Sequence, residues 1–389
     1  MPKGKGELNL KTSLLKDKKI ILGVTGSISA VESVKLIHEL RRHGAEVFPV
    51  MTSSACKIIH PSSLEYASGN SAVLELTGKI EHVRLVEDSD LFLIAPSTAN
   101  TISKMAHGID DSTVTSVFSN ALERIPVLVV PAMHLNMYTN PIILKNIETL
   151  KSYGVSFLNP IVEESKAKIA DTESIVAETI RALHNELRGK KICVIGGSSN
   201  EKLDDVRVIS NNSTGETSID IAKMAYYLGA DVDLYLGSVR VEVPQYLRYS
   251  TFSNVASLVS KIPSIEKNDA VIVPAALSDF TTNKMRGKVS SDKPIKITLK
   301  PAPKFLKLLR KSYTGVIVGF KAEFDVGRKE LLERARSRMK EYGLDMVVAN
   351  DIKDVRPGIT KVIVLKGRDE TTLEGDKLDV ARRILELLP

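Results

Sequence analysis

Short, nearly continuous apolar runs alternate along this chain with segments of helical periodicity, and this alternation restricts the possible folds more than any other feature. In the first half the runs are KIILGVT, EVFPVM, DLFLIAP and IPVLVVP, followed by YGVSFLNP. Strands that are apolar on both faces and joined by helical crossovers are typical of a parallel sheet covered by helices. The first half is therefore predicted to be an α/β domain.

The same pattern starts again near Lys190, after a long helical segment that is predicted to end in Arg-Gly. Further strands are predicted in KKICVIGG, NDAVIVP, YTGVIVGF and LDMVVAND. A chain of 389 residues is longer than most single domains, which agrees with a second α/β domain. We predict domains at residues 1–187 and 188–389, joined in the stretch between Leu187 and Gly189.

Composition excludes several classes of protein. Hydrophobic residues make up 43% of the chain and charged residues 26%, and no apolar run approaches the length of about 18 residues that a membrane helix needs. We therefore expect a cytoplasmic protein with no membrane partner. Two distant cysteines give neither a disulfide framework nor a zinc site. The net charge of +7 is spread along a chain with only 5% aromatic residues, so no nucleic-acid partner is expected.

Small hydroxyl residues follow the predicted strands of the first domain, in the loops TGS, TSSA and PSTAN, with PAMHLNM after the fourth strand. Ligands of open α/β sheets bind at the carboxyl ends of the strands, where backbone N–H groups and hydroxyls can receive a phosphate. The spacing of a dinucleotide-binding G-x-G-x-x-G motif is missing, so a mononucleotide such as FMN is favoured. The alternative is that these residues only cap helices.

In the second domain, the corresponding loops are GGSSN, VISNNSTG, PAALSDF and GFKAEF. The motif KMRGK places Lys284, Arg286 and Lys288 within five residues, which suits a triphosphate, although a solvated surface turn has the same composition. Asp279 follows its strand at a position from which it can orient a sugar or a metal ion. The phosphate-binding loop of ordinary ATPases is absent.

These motifs, in this order, resemble the bifunctional phosphopantothenoylcysteine decarboxylase/phosphopantothenate–cysteine ligases of coenzyme A biosynthesis, of a prokaryotic, archaeal type. The motifs are GVTGSISA, MTSSA, EHVRLVEDSDLFLIAP, APSTANT and PAMHLNMY in the first half, and GGSSNEKLDDVRVISNNSTGE, AALSDF, KMRGK, VGFKAEF and VANDI in the second. The resemblance extends from about Lys18 to Leu388. It implies a flavodoxin-like or Rossmann-like flavin domain followed by a Rossmann-like ligase domain.

For the first domain, the resemblance implies an FMN-dependent decarboxylase with His82 as its acid/base. Without the resemblance, His82 is better described as a surface histidine of a helix, beside Glu81 and Arg84. The implied FMN contacts are Gly26, Ser27, Thr52, Ser53, Ser97, Thr98 and Asn100. The implied substrate contacts are Asn100, Met133, His134, Asn136 and Met137.

For the second domain, the resemblance implies a ligase that activates 4′-phosphopantothenate as an acyl-cytidylate and transfers it to cysteine. It places catalytic roles on Asn211, Arg207 and Lys288, with Lys284 as a competing assignment for Lys288. CTP is the implied co-substrate of prokaryotic members and ATP that of eukaryotic ones, and Mg²⁺ or Mn²⁺ accompanies the nucleotide, with Asp279 as a candidate ligand. The implied nucleotide contacts are Gly197, Ser198, Ala275, Ala276, Asp279, Lys284, Lys288 and Phe320.

The resemblance also implies a reaction order and an assembly. The ligated product would undergo FMN-dependent oxidative decarboxylation and reduction to 4′-phosphopantetheine. Trimers of the flavin domain and dimers of the ligase domain would together form a homo-dodecamer. The remaining partners are small molecules, namely 4′-phosphopantothenate, cysteine and CTP.

Two departures from the family pattern concern the first domain. His134 replaces an asparagine that holds the substrate, and we expect it to act as a neutral hydrogen-bonding group rather than as a metal ligand or an acid/base. The flap segment NPIVEESKAKIAD lacks the cysteine that protonates the reaction intermediate in many members. Lys166 and Lys168 are candidate donors in its place. These departures leave open a protein in which only the ligase half is fully active.

A flavin-binding regulatory or interaction protein is a further alternative, although the acidic or disordered tails of such relatives are absent. A flavin prenyltransferase or a decarboxylase of peptides is also conceivable for the first domain alone. The second domain, with its ISNNSTG motif, argues against both.

Overall fold

The computed structural model describes residues 10–163, 166–290, 292, 294–351, 353 and 358–389. The chain divides into two compact units, Met1–His184 and Asn185–Pro389. The division follows the helix Thr172–Leu183, because His184 takes an extended backbone with φ −119° and ψ 138°. The predicted continuation of this helix to Arg-Gly is therefore wrong. The predicted boundary after residue 187 lies within the turn that comes next.

The first unit is built on a parallel sheet whose strands are the apolar runs of the sequence. This sheet has the order β2-β1-β3-β4-β6, so its direction of growth reverses between β1 and β3, as in flavodoxin-like folds. A smaller antiparallel sheet has the order β5-β8-β7. The strands in chain order are β1 (Lys19–Val24), β2 (Glu46–Met51), β3 (Leu91–Ser97), β4 (Val127–Pro131), β5 (Met133–His134), β6 (Ser156–Phe157), β7 (Ile161–Glu163) and β8 (Lys166–Lys168).

Helices connect these strands, and their apolar residues pack on the sheet. Every residue of β3 and β4 is buried, as the uninterrupted apolar runs predict. Several helices begin at a side-chain cap, such as the Ser112 hydroxyl that accepts the N–H of Thr115. The helices are α1 (Ser33–Arg42), α2 (Pro61–Ser68), α3 (Glu81–Glu87), α4 (Ala99–Ala106), α5 (Thr113–Ala121), α6 (Leu135–Tyr138), α7 (Pro141–Ser152) and α8 (Thr172–Leu183), with 3₁₀ turns at Ile28–Glu32 and Ala55–Lys57.

The second unit contains a larger, mixed sheet with the order β13-β12-β9-β14-β17-β18-β19-β20. The part from β13 to β18 is parallel and follows the strand order of Rossmann-like folds, with the reversal between β9 and β14. The strands are β9 (Lys191–Gly196), β10 (Asn200–Lys202), β11 (Val208–Ser210), β12 (Asp231–Leu236), β13 (Tyr249–Thr251), β14 (Ala270–Val273), β15 (Phe280–Thr282), β16 (Leu299–Pro301), β17 (Val316–Glu323), β18 (Met346–Asp351), β19 (Ile359–Lys366) and β20 (Asp369–Asp376).

The core of the second unit joins apolar residues of this sheet to the helices that connect its strands. Cys193 lies in this core and is fully buried. The helices are α9 (Glu216–Tyr227), α10 (Val255–Val259), α11 (Ile262–Ile265), α12 (Phe305–Ser312), α13 (Arg328–Tyr342) and α14 (Lys377–Glu386). The predicted fold class of two tandem α/β domains, flavodoxin-like and then Rossmann-like, is confirmed.

The antiparallel hairpin β19–β20 is absent from the predicted strands, which end at β18. The sequence of β19, ITKVIVLK, is apolar and buried in the middle but partly polar towards both ends. Its partner β20 is almost entirely polar. Such a strand pair gives no βα repeat, because a hairpin connects the two strands directly. Among the described residues, no helix combines the length and the apolar character that crossing a bilayer requires.

Candidate active sites

The loops that follow β1, β3 and β4 meet at the carboxyl edge of the first sheet. The Thr25 hydroxyl donates to the Pro96 carbonyl at 2.9 Å and accepts the N–H of Thr98 at 3.1 Å. The N–H of Ala132 donates to the Ser97 carbonyl at 2.9 Å. Hydrogen bonds of this kind fix three of the predicted loops against one another at the edge where α/β sheets bind ligands.

The loop after β2 packs against the loop after β1. The N–H of Thr52 donates to the Val24 carbonyl at 3.1 Å, and a Cβ atom on Gly26 would lie 2.5 Å from the Cβ of Ser54. Only glycine permits this approach without displacing the backbone of one loop. The structure thus brings together the segments that contain the residues predicted to contact FMN. Ser53 and Asn100 are exposed there.

The donors at this edge fit an anionic or hydrogen-bonding ligand. The Ser27 side chain accepts the N–H of Ser29, and the Thr98 side chain caps α4. The Ser97 hydroxyl is buried without a hydrogen-bond partner among the described residues. An uncompensated hydroxyl at the carboxyl end of a strand is the kind of group that a bound phosphate or flavin would satisfy. The donor set therefore fits FMN.

A cavity of about 350 Å³ opens beside the 3₁₀ turn Ile28–Glu32. It is lined by Ser29 and Ala95, each two positions from a predicted flavin contact, and by Lys168, but by none of the seven predicted contacts themselves. Most of the lining residues are apolar, among them Ile28, Val31 and Leu36, so this cavity is not the phosphate-binding part of the edge.

His82 stands in the first turn of α3. Its ring is half-buried, and its Nδ1 atom is buried without a partner among the described residues. The backbone carbonyl of His82 accepts the side-chain N–H of Asn120 on α5, at 3.1 Å. No hydrogen bond connects His82 with the four edge loops in the described part of the chain. Asn120 has no signal in the sequence, since it is one polar residue in the last turn of α5 and belongs to none of the motifs.

His134 is exposed and belongs to β5, which pairs with β8 of the flap segment. The antiparallel register places His134 opposite Lys166 and Met133 opposite Ala167. Although His134 precedes α6, its side chain makes no capping hydrogen bond. Nearby, Met133 is half-buried, while Asn136 and Met137 are exposed at the same site. The predicted substrate contacts of this motif therefore lie directly beside the flap.

The two cysteines of the chain and the two flap lysines are the residues to consider as replacements for the missing flap cysteine. Cys56 lies in the 3₁₀ turn after β2 and Cys193 in the core of the second unit, so neither belongs to the flap. Burial raises the pKa of the Cys193 thiol well above its ordinary value. Lys168 is exposed and lines the cavity beside Ile28. The side chain of Lys166 lies outside what the structure describes.

At the carboxyl edge of the second sheet, the loops after β9 and β14 lie side by side at the reversal of strand order. The N–H of Ala276 donates to the Gly197 carbonyl at 2.9 Å, and Ser198 forms bridges with both Ala276 and Ser238. Gly197 has φ +75°, and a Cβ atom there would lie 2.7 Å from the Ser238 carbonyl oxygen. The Asn211 amide donates to the Ala276 carbonyl at 3.1 Å. Four predicted residues therefore meet at one point.

A cavity of about 260 Å³ opens next to this point. Of the predicted nucleotide contacts, it is lined by Ala275, Ala276, Asp279 and Phe320. Other lining residues come from the start of α12, from β17 and from α13. They are absent from the predicted contacts, because only residues in the loops that follow predicted strands were considered and few residues were named in each loop. The missed residues are Lys304, Phe305, Lys321, Arg338 and Tyr342.

Charges of both signs line this cavity. Lys304 forms an ion pair with Asp279, and this contact, together with Arg338 and Lys321, lowers the pKa of the Asp279 carboxyl. With more cations than carboxylates and with aromatic walls, the cavity suits an anionic ligand that carries a flat ring. A base and its phosphates have that combination.

The donor set does not fit a metal ion held by the protein alone. No group of three His, Cys, Asp or Glu side chains comes together within the part of the chain that the structure describes. The Asp279 carboxylate is already paired with Lys304. The assignment of Asp279 as a metal ligand stays a prediction.

The predicted basic residues lie apart from the cavity lining, Lys284 and Lys288 on the 284–289 loop and Arg207 in the turn between β10 and β11. Lys284 pairs with Asp205, and Arg207 lies 3.4 Å from Asp204. Lys288 is exposed and has neither an ion pair nor a hydrogen bond with any described residue. The structure therefore distinguishes the two lysines that the sequence left as competing assignments.

Comparison with known proteins gives matches over both units. The Flavoprotein family model matches residues 8–184, and the model of the DNA/pantothenate metabolism flavoprotein C-terminal domain matches residues 187–389. The DNA/pantothenate metabolism flavoprotein of Streptococcus pneumoniae is a similar solved structure, with 23% identity, a TM-score of 0.47, and coverage of 51% of this chain and 97% of that one.

Two archaeal proteins are similar along almost their whole length. The coenzyme A biosynthesis bifunctional protein CoaBC of Thermococcus kodakarensis is 44% identical, over 92% of this chain and 91% of that protein. The protein of the same name from Methanocaldococcus jannaschii is 37% identical, over 97% of this chain and 94% of that protein. With both domains matched in the same order, the chain belongs to the family of coenzyme A biosynthesis bifunctional proteins CoaBC.

Proposed function

We propose that this chain makes 4′-phosphopantetheine from 4′-phosphopantothenate in two steps of coenzyme A biosynthesis. The second unit ligates the substrate to cysteine at the expense of CTP, and the first unit decarboxylates the product with FMN. The observation that carries this proposal is the similarity to bifunctional CoaBC proteins over both units of the chain. The two loop-lined sheet edges, one in each unit, support it.

In the ligase step, a carboxylate oxygen of 4′-phosphopantothenate attacks the α-phosphorus of CTP, and pyrophosphate leaves. The 260 Å³ cavity would hold the nucleotide between Phe320 and the residues around Asp279, with Lys304 nearby. Negative charge increases on the leaving phosphates, so a mobile cation at this point lowers the barrier. Lys288 is the candidate, because Lys284 is occupied by Asp205.

The amine of cysteine then attacks the acyl carbon, and CMP leaves with the pair of electrons of the broken C–O bond. One N–H of the Asn211 amide is used by the Ala276 carbonyl, which fixes the orientation of the amide. The second N–H remains to donate to the oxyanion that forms on the acyl carbon. Arg207, in the turn between β10 and β11, would balance charge on the phosphate of the acyl-cytidylate.

In the decarboxylase step, bound FMN would supply the reversible two-electron chemistry that no side chain provides. Gly26, Ser27, Thr52 and Ser53 would hold it from one side of the sheet edge, and Ser97, Thr98 and Asn100 from the other. The half-buried imidazole of His82 would exchange a proton with the substrate. His134, next to the flap, would orient the substrate by a hydrogen bond together with Asn136.

The test is to supply purified protein with 4′-phosphopantothenate, cysteine and either CTP or ATP, and to measure pyrophosphate and CO₂. We expect both products with CTP and far less with ATP. Absence of pyrophosphate with either nucleotide would remove the ligase assignment. Pyrophosphate without CO₂, even when phosphopantothenoylcysteine is supplied directly, would leave a protein in which only the ligase half works.

The cofactors and the assembly are part of the same proposal. Release of FMN on denaturing the purified protein would support the flavin assignment. Mg²⁺ would enter with the phosphates of CTP, because the residues that the structure describes offer it few ligands. We infer a dodecamer, whose mass in light scattering would be twelve times that of the 42.6-kDa chain. A cytoplasmic location follows from phosphorylated substrates that do not cross membranes.

A further inference from the structure

The 284–289 loop of the second unit is hydrogen-bonded to the turn between β10 and β11. The N–H of Met285 donates to the Leu203 carbonyl at 2.8 Å, and the N–H of Val289 donates to the Asp204 carboxylate at 3.1 Å. The loop therefore contacts the turn near both of its ends.

Asp204 serves the turn and the loop with different oxygens. Its Oδ1 accepts the N–H groups of Val206 at 2.7 Å and Arg207 at 2.6 Å, which shapes the turn. Its Oδ2 accepts the N–H of Val289 and faces the Arg207 guanidinium at 3.4 Å. The residue is only 1% exposed, and the hydrogen bond from the Arg207 N–H is the largest cause that lowers the pKa of its carboxyl. Asp204 is thus ionised at neutral pH.

Asp205 holds the middle of the loop. Its carboxylate pairs with Lys284 and accepts the N–H of Gly287 at 2.8 Å, while its own N–H donates to the Gly287 carbonyl at 3.2 Å. Gly287 has φ +73°, a conformation that favours glycine. The ion pair is exposed on both sides, so it adds little to stability, and its effect is on the position of the loop.

We propose that Asp204 and Asp205 are positioning residues of the ligase, which hold the 284–289 loop against the turn that carries Arg207. Lys284 then helps to hold the loop through its ion pair with Asp205. Lys288, which has no partner among the described residues, is the cation that contacts the triphosphate. This inference rests on the proposed ligase function. It assigns roles to two carboxylates that do not line the nucleotide cavity.

The first test replaces Asp204 by Asn in the full-length protein. An amide has one accepting oxygen, so it cannot serve both the turn and the loop. We expect kcat for pyrophosphate release to fall about 10- to 100-fold, the scale of a small misplacement of a catalytic group. Trypsin should also cut faster after Lys284, Arg286 or Lys288, as detected by mass spectrometry.

The matched control is Asp376→Asn. Asp376 caps α14 by accepting the N–H of Leu378, and asparagine caps helices equally well. This variant should keep both the rate of pyrophosphate release and the resistance of the loop to trypsin. If the two variants and the parent protein unfold at the same temperature, the lower rate of Asp204→Asn comes from displacement of the loop and not from loss of the fold.

The second test separates the two lysines and restores the ion pair. Lys288→Ala should cost about 100-fold in kcat and Lys284→Ala no more than about 10-fold, because only the former removes charge from the triphosphate. The reversed pair Asp205→Lys/Lys284→Asp should be more active than either single variant. A merely structural role of Asp205 predicts instead that the thermal midpoint falls in the single variants and recovers together with the rate in the reversed pair.

The outcomes separate this inference from the proposed function. If the parent protein releases no pyrophosphate, the ligase assignment fails. If the parent is active, the inference is overturned when Asp204→Asn retains the parental rate and trypsin resistance, or when Lys284→Ala and Lys288→Ala lose activity equally.

Discussion

The two candidate functional histidines of the first unit, His82 and His134, differ in their surroundings, and this difference predicts different roles. His82 is half-buried, and its Nδ1 has no partner within the described ranges, whereas His134 is exposed beside the flap. We predict that His82→Asn lowers the rate of CO₂ release from phosphopantothenoylcysteine by about 10²- to 10⁴-fold, the usual contribution of general acid–base catalysis. His134→Asn should retain activity within about 10-fold, since an amide still forms the orienting hydrogen bond.

Pyrophosphate release serves as the internal control for this pair, because both histidines lie in the other unit and the ligase rate should not change. Equal loss of CO₂ release in the two variants would contradict the assignment. It would mean that His134 takes part in proton transfer, in place of the flap cysteine that this chain lacks.

Gly26 tests the packing of the edge loops. A Cβ atom at this position would lie 2.5 Å from that of Ser54, so alanine must push the loops after β1 and β2 apart. We predict that Gly26→Ala is purified with much less flavin, measured by its visible absorbance per chain. The control is Gly78→Ala in the same unit, where a Cβ atom meets nothing within 4 Å. Equal flavin content in the two variants would show that these loops do not hold the cofactor.

At the scale of elements, the sequence predicts those features that repeat locally. β2 has the predicted bounds Glu46–Met51, and β1, β3 and β4 agree within two residues, because their apolar runs are continuous and end in polar turns. The edge loops follow from these strand ends. Pairing between β5 and β8 could not be predicted, since strands of two or three residues carry no periodicity.

The wall of the 260 Å³ cavity formed by α12 and α13 was likewise not predictable from the sequence. Lys304 stands at the start of α12 and Arg338 inside α13, so nothing in their local sequence sets them apart from other basic residues on helices. They reach the cavity only through the packing of α12 and α13 beside the sheet. Likewise, the ion pair between Lys284 and Asp205 could not be predicted, because it depends on the packing of the 284–289 loop on a turn that is distant in the sequence.

Helix α9 carries a carboxylate whose environment opposes ionisation. Desolvation, followed by the nearby charge of Glu216, raises the pKa of Asp220 from 3.8 to about 6. Between these two values, the folded state binds more protons than the unfolded state, so the free energy of unfolding decreases as the pH rises through this window. Above pH 6, the ionised Asp220 destabilises the second unit by an amount on the order of 1–2 kcal/mol.

We therefore predict that Asp220→Asn raises the thermal midpoint of the second unit by a few degrees at pH 7.5. The gain should shrink towards zero near pH 4, where the aspartic acid is itself neutral. Calorimetry at both pH values measures this, with the exposed Asp379→Asn on α14 as the control. A gain that is independent of pH would assign the effect to something other than ionisation.

At the scale of the whole molecule, each unit has its own hydrophobic core. One core consists of residues between Ile21 and Phe157, and the other of residues between Cys193 and Leu365. The family models divide the chain at nearly the same place, with matches to 8–184 and 187–389. A unit of about 200 residues buries enough apolar surface to fold alone.

We therefore predict that residues 1–184 and 185–389, produced as separate chains, each fold and each perform one step. The second fragment should release pyrophosphate with CTP and yield phosphopantothenoylcysteine, and the first should bind flavin and release CO₂ from that product. Each step should retain its rate within about 10-fold, because the residues proposed for each reaction lie in one unit and no catalytic group must be brought from the other. Cooperative melting of each fragment is the control for folding. A folded first fragment that is inactive until the second is added would show that the decarboxylase depends on the ligase unit for part of its site.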